Sequence, residues 1–178
     1  PRGRGKDRQL FETEWTQDRV EENAFINKVR EKVDSWRAGR YQEVTNTTRT
    51  LLDYWTHPER ENRLFFCQIE ALETAIYITE LGKYDPWIEN DLRKFNADAN
   101  PDLYRMAVKM ATGSGKTVVM AMLIAWAFCN RGRVPSDERF PRAVLVCCPN
   151  LTIKERLQVL RTDTAGEDYY TQFDIVPQ

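Results

Sequence analysis

Residues 111–117 read Ala-Thr-Gly-Ser-Gly-Lys-Thr. Residues 103–110 before them are mostly apolar, and a long apolar, helix-forming stretch from 116 to 130 follows. Gly113 and Gly115 allow strained backbone angles, so that successive N–H groups point into one concavity. A helix that starts at Lys116 adds unpaired N–H groups and the positive end of its dipole. The stretch therefore predicts a phosphate-binding loop between a strand and a helix.

The side chains of this loop predict what it would hold. The Lys116 ammonium should reach the β and γ phosphates of a nucleotide, and the Thr117 hydroxyl should coordinate Mg²⁺. Lys116 is therefore also the candidate catalytic residue. The strict P-loop pattern asks for glycine where Met110 stands, but the core of the motif is intact. The residues predicted to bind the nucleotide here are Thr112, Gly113, Ser114, Gly115, Lys116, Thr117 and Val118.

Hydrophobic periodicity predicts helices and strands in the rest of the chain. Helical patterns cover 20–36, 42–55, 65–81 and 85–95, and a further helix is opened by Thr152 and Glu155 at capping-box spacing. Strands are predicted at 103–110, 142–148 and 173–176. The first of these alternates, with Arg105 and Lys109 on one face, so polar partners cover that face or the strand is not central. The order of elements predicts an α/β domain with a parallel sheet and flanking helices.

Composition limits the classes of function. The formal net charge is -1, so contact with nucleic acid would have to be local rather than through a basic body. The longest apolar run, 118–129, is shorter than the roughly 18 residues that span a bilayer, which predicts a soluble, cytoplasmic protein without a membrane partner. The four cysteines lack zinc-site spacing and are predicted to be reduced core residues. Residues 1–19 form a polar, basic arm, and 20–62 a helical hairpin.

Residues 111–117 resemble the first motif of superfamily 2 helicases and translocases. Residues 65–71, Phe-Phe-Cys-Gln-Ile-Glu-Ala, resemble the upstream Gln motif of that family. The resemblance implies that the Gln68 amide selects the adenine of ATP. The family often has an arginine three residues before that glutamine. Phe65 stands there, and Arg63, two residues earlier, is the candidate for stacking on the base.

Residues 144–152 resemble the family's motif Ia, a strand followed by a turn and a helix. In the family this turn contacts the nucleic-acid backbone through main-chain N–H groups and a helix N-terminus. The resemblance therefore implies nucleic-acid contacts from Pro149, Asn150, Leu151 and Thr152.

Within the superfamily, residues 41–178 resemble the Res subunits of type III restriction enzymes. This resemblance implies that 63–178 is the N-terminal part of a first RecA-like ATPase domain, and that the full-length protein is an ATP-dependent helicase or translocase. It implies ATP and Mg²⁺ as cofactors and nucleic acid as partner, with DNA favoured over RNA. A second RecA-like half and modification or nuclease subunits are further expected partners. The family's Asp-Glu magnesium motif has no counterpart after Thr117, so we expect a fragment with poor hydrolysis.

Two other functions are compatible with parts of the sequence. The chain could be a different P-loop NTPase, such as a nucleotide kinase, although Met110 and the helix that carries Gln68 argue against that. It could also be a non-enzymatic interaction module with a vestigial nucleotide site. The intact pair Lys116 and Thr117 argues against that second alternative.

Overall fold

The computed structural model describes residues 24–99, 101–163 and 166–177. The chain divides into two compact units between Arg40 and Tyr41. The predicted basic arm, 1–19, lies outside the described residues.

In the first unit, residues 24–38 are helical (α1). Val29, Val33 and Trp36 are buried, as the helical period predicted. The helix ends at Gly39, whose N–H donates to the Ser35 carbonyl at 3.0 Å. This confirms the glycine as the stop signal.

The second unit contains helices joined by turns and by segments without regular structure. Their bounds are α2 Asn46–Trp55, α3 Phe66–Glu80, α4 Pro86–Ala99, α5 Lys116–Arg133, α6 Leu151–Arg156 and α7 Tyr169–Gln172. Short 3₁₀ turns lie at Gly82–Tyr84 and Leu157–Leu160. The predictions of α2, α3 and α5 are confirmed within a few residues at their ends.

Helix α5 lies at the centre of this unit and contacts α2, α3 and α7. Its sequence is apolar around most of its circumference, as expected for a helix that is packed on several sides. The side chains that form the core are mainly aliphatic and aromatic. They include Leu51, Leu52 and Trp55 of α2; Leu72, Ala75 and Ile76 of α3; and Val119, Met122, Ala125 and Trp126 of α5.

A buried polar network joins α2, α3 and α5. Glu80 is fully buried, and its carboxyl group accepts hydrogen bonds from the Thr45 N–H at 2.9 Å and from the Thr48 hydroxyl. The Trp126 Nε1–H donates to the same carboxyl at 3.0 Å, and the Asn130 amide donates to the Thr48 hydroxyl at 3.0 Å. These directional bonds fix how α5 sits against its neighbours.

The predicted parallel sheet is wrong, because the described residues form helices and contain no strand. Residues 103–110 and 142–148 have no regular secondary structure and are exposed or half-exposed, with Leu145 86% exposed. The Arg105 N–H donates to the Asn96 side chain at 2.7 Å rather than to a neighbouring strand. A parallel strand needs hydrogen-bonding partners on its edges and cover on both faces. The helices around α5 form the core without either segment.

Three smaller sequence predictions are also corrected. Helix α4 begins at Pro86 as predicted but continues to Ala99, four residues beyond the predicted end. Helix α6 is capped by Asn150, whose side chain accepts from the Ile153 N–H at 2.9 Å, and not by Thr152. Asparagine is among the best N-cap residues. The predicted strand at 173–176 is instead a turn that follows α7, in which Asp174 has a φ of 48°.

The end of α2 and the connection that follows it hold this turn through side-chain hydrogen bonds. The Arg60 guanidinium donates to the carbonyls of Phe173 and Asp174, the latter at 2.7 Å. The Trp55 indole N–H donates to the Ile175 carbonyl at 2.7 Å. Tyr54 donates to the Asp174 carboxylate, which raises the pKa of the Tyr54 hydroxyl. Because Ile175 is fully buried, the turn is part of the core of this unit.

Replacing Trp55 with phenylalanine should lower the free energy of unfolding by about 1–3 kcal/mol, because the buried Ile175 carbonyl loses its donor while most of the ring packing is kept. Urea unfolding of the two proteins measures the difference. Limited proteolysis should show earlier cleavage within 166–177 in the variant. Equal stability and equal cleavage rates would show that the indole hydrogen bond does not hold the turn.

Among the described residues, no helix is both long and apolar enough to cross a membrane.

Candidate phosphate-binding site

The loop that precedes α5 turns tightly on two glycines. Gly113 has a φ of 80° and Gly115 a φ of 76°, in the left-handed region that glycine enters without a Cβ penalty. The Ser114 hydroxyl donates to the Ala111 carbonyl at 2.7 Å, which closes the turn across its base. The chain therefore turns at the predicted glycines and leads directly into a helix, whereas the strand predicted before the loop is absent from the described residues.

Gly115 is the N-cap residue of α5, and its carbonyl accepts from the N–H groups of Val118 at 3.0 Å and Val119 at 3.3 Å. The N–H groups of Lys116 and Thr117 come before any intrahelical acceptor, as in every helix start. The Val118 N–H, which was predicted to help bind the nucleotide, is engaged within the helix. The donors at the start of α5 are thus concentrated on Lys116 and Thr117.

Lys116 is exposed, and its side chain folds back over the loop. Its ammonium group donates to the carbonyls of Met110 at 3.1 Å and Ala111 at 2.8 Å. An ammonium has three donors, so this position can also serve an anion above the loop. Thr117 is half-buried beside it, and Thr112 is exposed.

Gln68 connects α3 to this loop. Its side chain accepts from the Phe65 N–H at 2.8 Å and donates to the Gly115 carbonyl at 3.4 Å. The residue is only 4% exposed. Arg63 lies outside α3, in the connection before it, and donates to the Pro58 carbonyl at 2.6 Å. Of the two residues predicted to bind the base, Gln68 therefore contacts the loop. Arg63 instead contacts the connection before α3.

The predicted nucleic-acid residues, 149–152, form the exposed turn at the start of α6. Asn150 caps the helix, and Leu151 is 74% exposed. Lys154 and Arg156 add positive charge in the last turn of this short helix. In the part of the chain that the structure describes, no hydrogen bond joins this turn to the loop at 111–117.

The charge around the loop favours anions. Residues 103–117, the loop and the segment before it, contain three basic side chains, Arg105, Lys109 and Lys116, and no acidic one. On α5, burial raises the pKa of the Cys129 thiol, which keeps it protonated at neutral pH. The prediction of core cysteines is wrong for Cys67 and Cys147, which are exposed free thiols. Within the described residues, no three side chains of histidine, cysteine, aspartate or glutamate are grouped to hold a metal ion.

Sequence reasoning missed two features of the site. The carbonyls of Met110 and Ala111, which receive the Lys116 ammonium, carry no side-chain signal that a motif could show. The network that joins α2, α3 and α5 did leave a signal in the sequence, because Glu80 lies on the buried face of α3. A carboxylate at a position where the helical period predicts an apolar side chain indicates a buried polar network.

A comparison with protein families found one matching family. The family model described as "Type III restriction enzyme, res subunit" matches residues 63–174, more than half of the chain. That family is one of helicase-like ATPases. The chain belongs to the type III restriction enzyme res subunit family. Neither a curated protein nor a solved structure matches the chain.

Proposed function

We propose that the loop at 111–117 binds the triphosphate of ATP, and that the chain is the ATP-binding portion of a nucleic-acid-dependent translocase of a restriction-type system. The observation that carries the proposal is the combination of two left-handed glycines, a following helix of 18 residues and the Lys116 ammonium held across the loop. Membership of a helicase-like ATPase family supports it.

Each part of the loop has a role in this proposal. Main-chain N–H groups of the loop, foremost those of Lys116 and Thr117, donate to phosphate oxygens, with the positive end of the α5 dipole behind them. The Lys116 ammonium moves from the loop carbonyls to the β and γ phosphates and stabilises the charge that develops there during transfer. Ser114 keeps the turn closed through its bond to Ala111.

Thr117 fits the role of a magnesium ligand. Its hydroxyl oxygen is a hard ligand of the kind that Mg²⁺ prefers, and Mg²⁺ at nucleotide sites takes most of its remaining ligands from phosphates and water. The metal ion would neutralise charge on the phosphates. Thr117 is half-buried and follows Lys116 in the first turn of α5.

The base is proposed to lie on the α3 side of the loop, between Arg63 and Gln68. The contact of Gln68 with Gly115 supports this side. A guanidinium group such as that of Arg63 stacks well on a flat ring.

The turn at 149–152 is proposed to contact the nucleic-acid backbone, with DNA favoured over RNA. It is exposed, it starts a helix, and Lys154 and Arg156 follow it. Main-chain N–H groups and basic side chains at such a turn contact phosphates without reading sequence. A second RecA-like half and modification or nuclease subunits are the proposed protein partners.

Lys116→Ala should weaken binding of a fluorescent ATP analogue with Mg²⁺ by about 10- to 150-fold. Charge-assisted hydrogen bonds contribute about 1.5–3 kcal/mol, which converts to that range. Titration followed by fluorescence anisotropy measures the dissociation constants. Binding is the appropriate readout, because the proposal concerns the contact between this loop and the triphosphate.

Lys94→Ala is the matched control, since Lys94 is an exposed lysine on α4. It should bind the analogue like the unchanged protein, and the thermal midpoints of all three proteins should agree. Equal affinity of the Lys116→Ala variant and the unchanged protein would remove the nucleotide site and leave the non-enzymatic interaction module as the better explanation.

A further inference from the structure

The segment that leads into α2 has an unusual backbone. Arg40, Tyr41 and Glu43 have φ angles of 56°, 52° and 68°, in the left-handed region where a Cβ atom crowds the following carbonyl oxygen. Gln42, between the last two, does not have such an angle. A residue other than glycine keeps this conformation only where the contacts around it hold it there. The segment is therefore strained, and its contacts rather than its own preference give it this shape.

Two buried carboxylates of α3 hold the segment. Tyr41 is 5% exposed, and its hydroxyl donates to the Glu73 carboxylate at 2.6 Å. The Thr45 N–H donates to the Glu80 carboxylate at 2.9 Å. Both glutamates are fully buried, and they lie seven residues apart in α3, which places them on the same face of the helix. Residues 41–45, which we call the clasp, are thus attached to α3 at both ends.

The middle of the clasp is free of this burial. Gln42 and Glu43 are both exposed, so relaxing their backbone displaces no core side chain. Strain in the closed clasp favours opening, and the hydrogen bonds of Tyr41 and Thr45 oppose it. Segments with exposed backbone and few buried side chains open locally at a lower free energy than the whole protein unfolds. These properties give the clasp two states, one attached to α3 and strained, the other detached and relaxed.

We propose that the clasp opens while the helices of its unit stay folded, and that the strain at Tyr41 and Glu43 sets how often it opens. Opening also reaches α5, because the Thr45 hydroxyl donates to the Asn130 side chain near the C-terminal end of that helix. The clasp is therefore a conformational device that loosens one contact of the helix on which the phosphate-binding loop is built. It does not depend on the proposed function, since no ligand takes part in it.

Hydrogen exchange of single amides, followed by NMR at low urea concentrations, tests for local opening. The Thr45 amide reports on the clasp, and the Met122 amide reports on the buried middle of α5. Thr45 should exchange at least about tenfold faster than Met122 and with little dependence on urea, because a local opening exposes little surface. Equal rates and equal urea dependence for the two amides would overturn the proposal, since the clasp would then open only when the whole unit unfolds.

Glycine substitutions at the two exposed positions test the role of strain. Glu43→Gly should slow exchange at Thr45 by about 2- to 10-fold, because glycine adopts the left-handed angle without the Cβ clash. Gln42→Gly is the matched control and should speed exchange by about 2- to 5-fold, because it gives the open state more freedom and relieves no strain. Changes in the same direction for both variants would overturn the proposal.

Tyr41→Phe tests the attachment to α3. The variant keeps the buried ring and removes the donor to Glu73, so exchange at Thr45 should become about 5- to 150-fold faster. Tyr84→Phe changes a tyrosine that is 68% exposed and should leave the Thr45 rate within about twofold of that of the unchanged protein. An unchanged Thr45 rate in Tyr41→Phe would equally overturn the proposal. The two glycine variants, at exposed positions, keep the test decisive if Tyr41→Phe fails to fold.

Discussion

Replacing Glu80 with leucine is expected to lower the free energy of unfolding by about 3–5 kcal/mol. The substitution removes the acceptor for three donors: the Thr45 N–H, the Thr48 hydroxyl and the Trp126 indole. Buried donors without a partner cost about 1–3 kcal/mol each. The loss is less than the full sum, because the Trp126 indole also lies 2.9 Å from the Thr48 hydroxyl oxygen.

Urea unfolding followed by tryptophan fluorescence measures this loss, with Trp126 itself as a reporter. Glu80→Gln retains one acceptor oxygen and should cost less than half as much. Glu59→Leu changes an exposed glutamate and should stay within about 0.5 kcal/mol of the unchanged protein. A Glu80→Leu protein as stable as the Glu59→Leu protein would show that the network does not hold α5 in place.

Gly115→Ala is expected to destabilise the protein by about 2–4 kcal/mol, and Gly113→Ala by about 1–2 kcal/mol. Both glycines are left-handed, and alanine at such an angle costs about 1–2 kcal/mol at either position. Only at Gly115 does the added methyl group also meet the Gln68 amide, 2.2 Å away. Overpacking of this kind adds about 1–3 kcal/mol.

The two glycine variants are matched controls for each other, since their backbone cost is the same and their surroundings differ. A double-mutant cycle with Gln68→Ala extends the test, because shortening Gln68 should recover part of the cost of Gly115→Ala and none of the cost of Gly113→Ala. Equal free energies of unfolding for the two glycine variants would contradict a close approach of Gln68 to the loop.

The local features of the site could be predicted from the sequence. The spacing of Gly113, Gly115 and Lys116 predicted a loop that ends in a helix, and α5 begins at Lys116. The helical period of 42–55 predicted the buried side of α2, with Thr48, Leu51, Leu52 and Trp55 inside. These features depend on residues that are close to one another in the sequence. A periodic pattern of apolar residues therefore predicts them directly.

The features that depend on distant partners could not be predicted. An apolar run such as 142–148 becomes a strand only if another strand supplies its hydrogen bonds, and the pattern contains no information about that partner. The hydrogen bond from Trp55 to the Ile175 carbonyl joins residues that are far apart in the chain. A main-chain carbonyl has no residue-type signal at all. For the same reason, the motif did not indicate that the carbonyls of Met110 and Ala111 accept from the Lys116 ammonium.

The Lys116 side chain has a consequence for how a ligand arrives. Its ammonium already rests on two carbonyl oxygens of its own loop, so an incoming phosphate exchanges neutral oxygens for charged ones and does not solvate a bare cation. The contribution of Lys116 to the free energy of binding is therefore the difference between its contacts with phosphate oxygens and its contacts with the loop carbonyls. An uncharged ligand offers the ammonium little improvement over the carbonyls. The contribution of Lys116 to affinity should therefore depend on the negative charge of the ligand far more than on its shape or size.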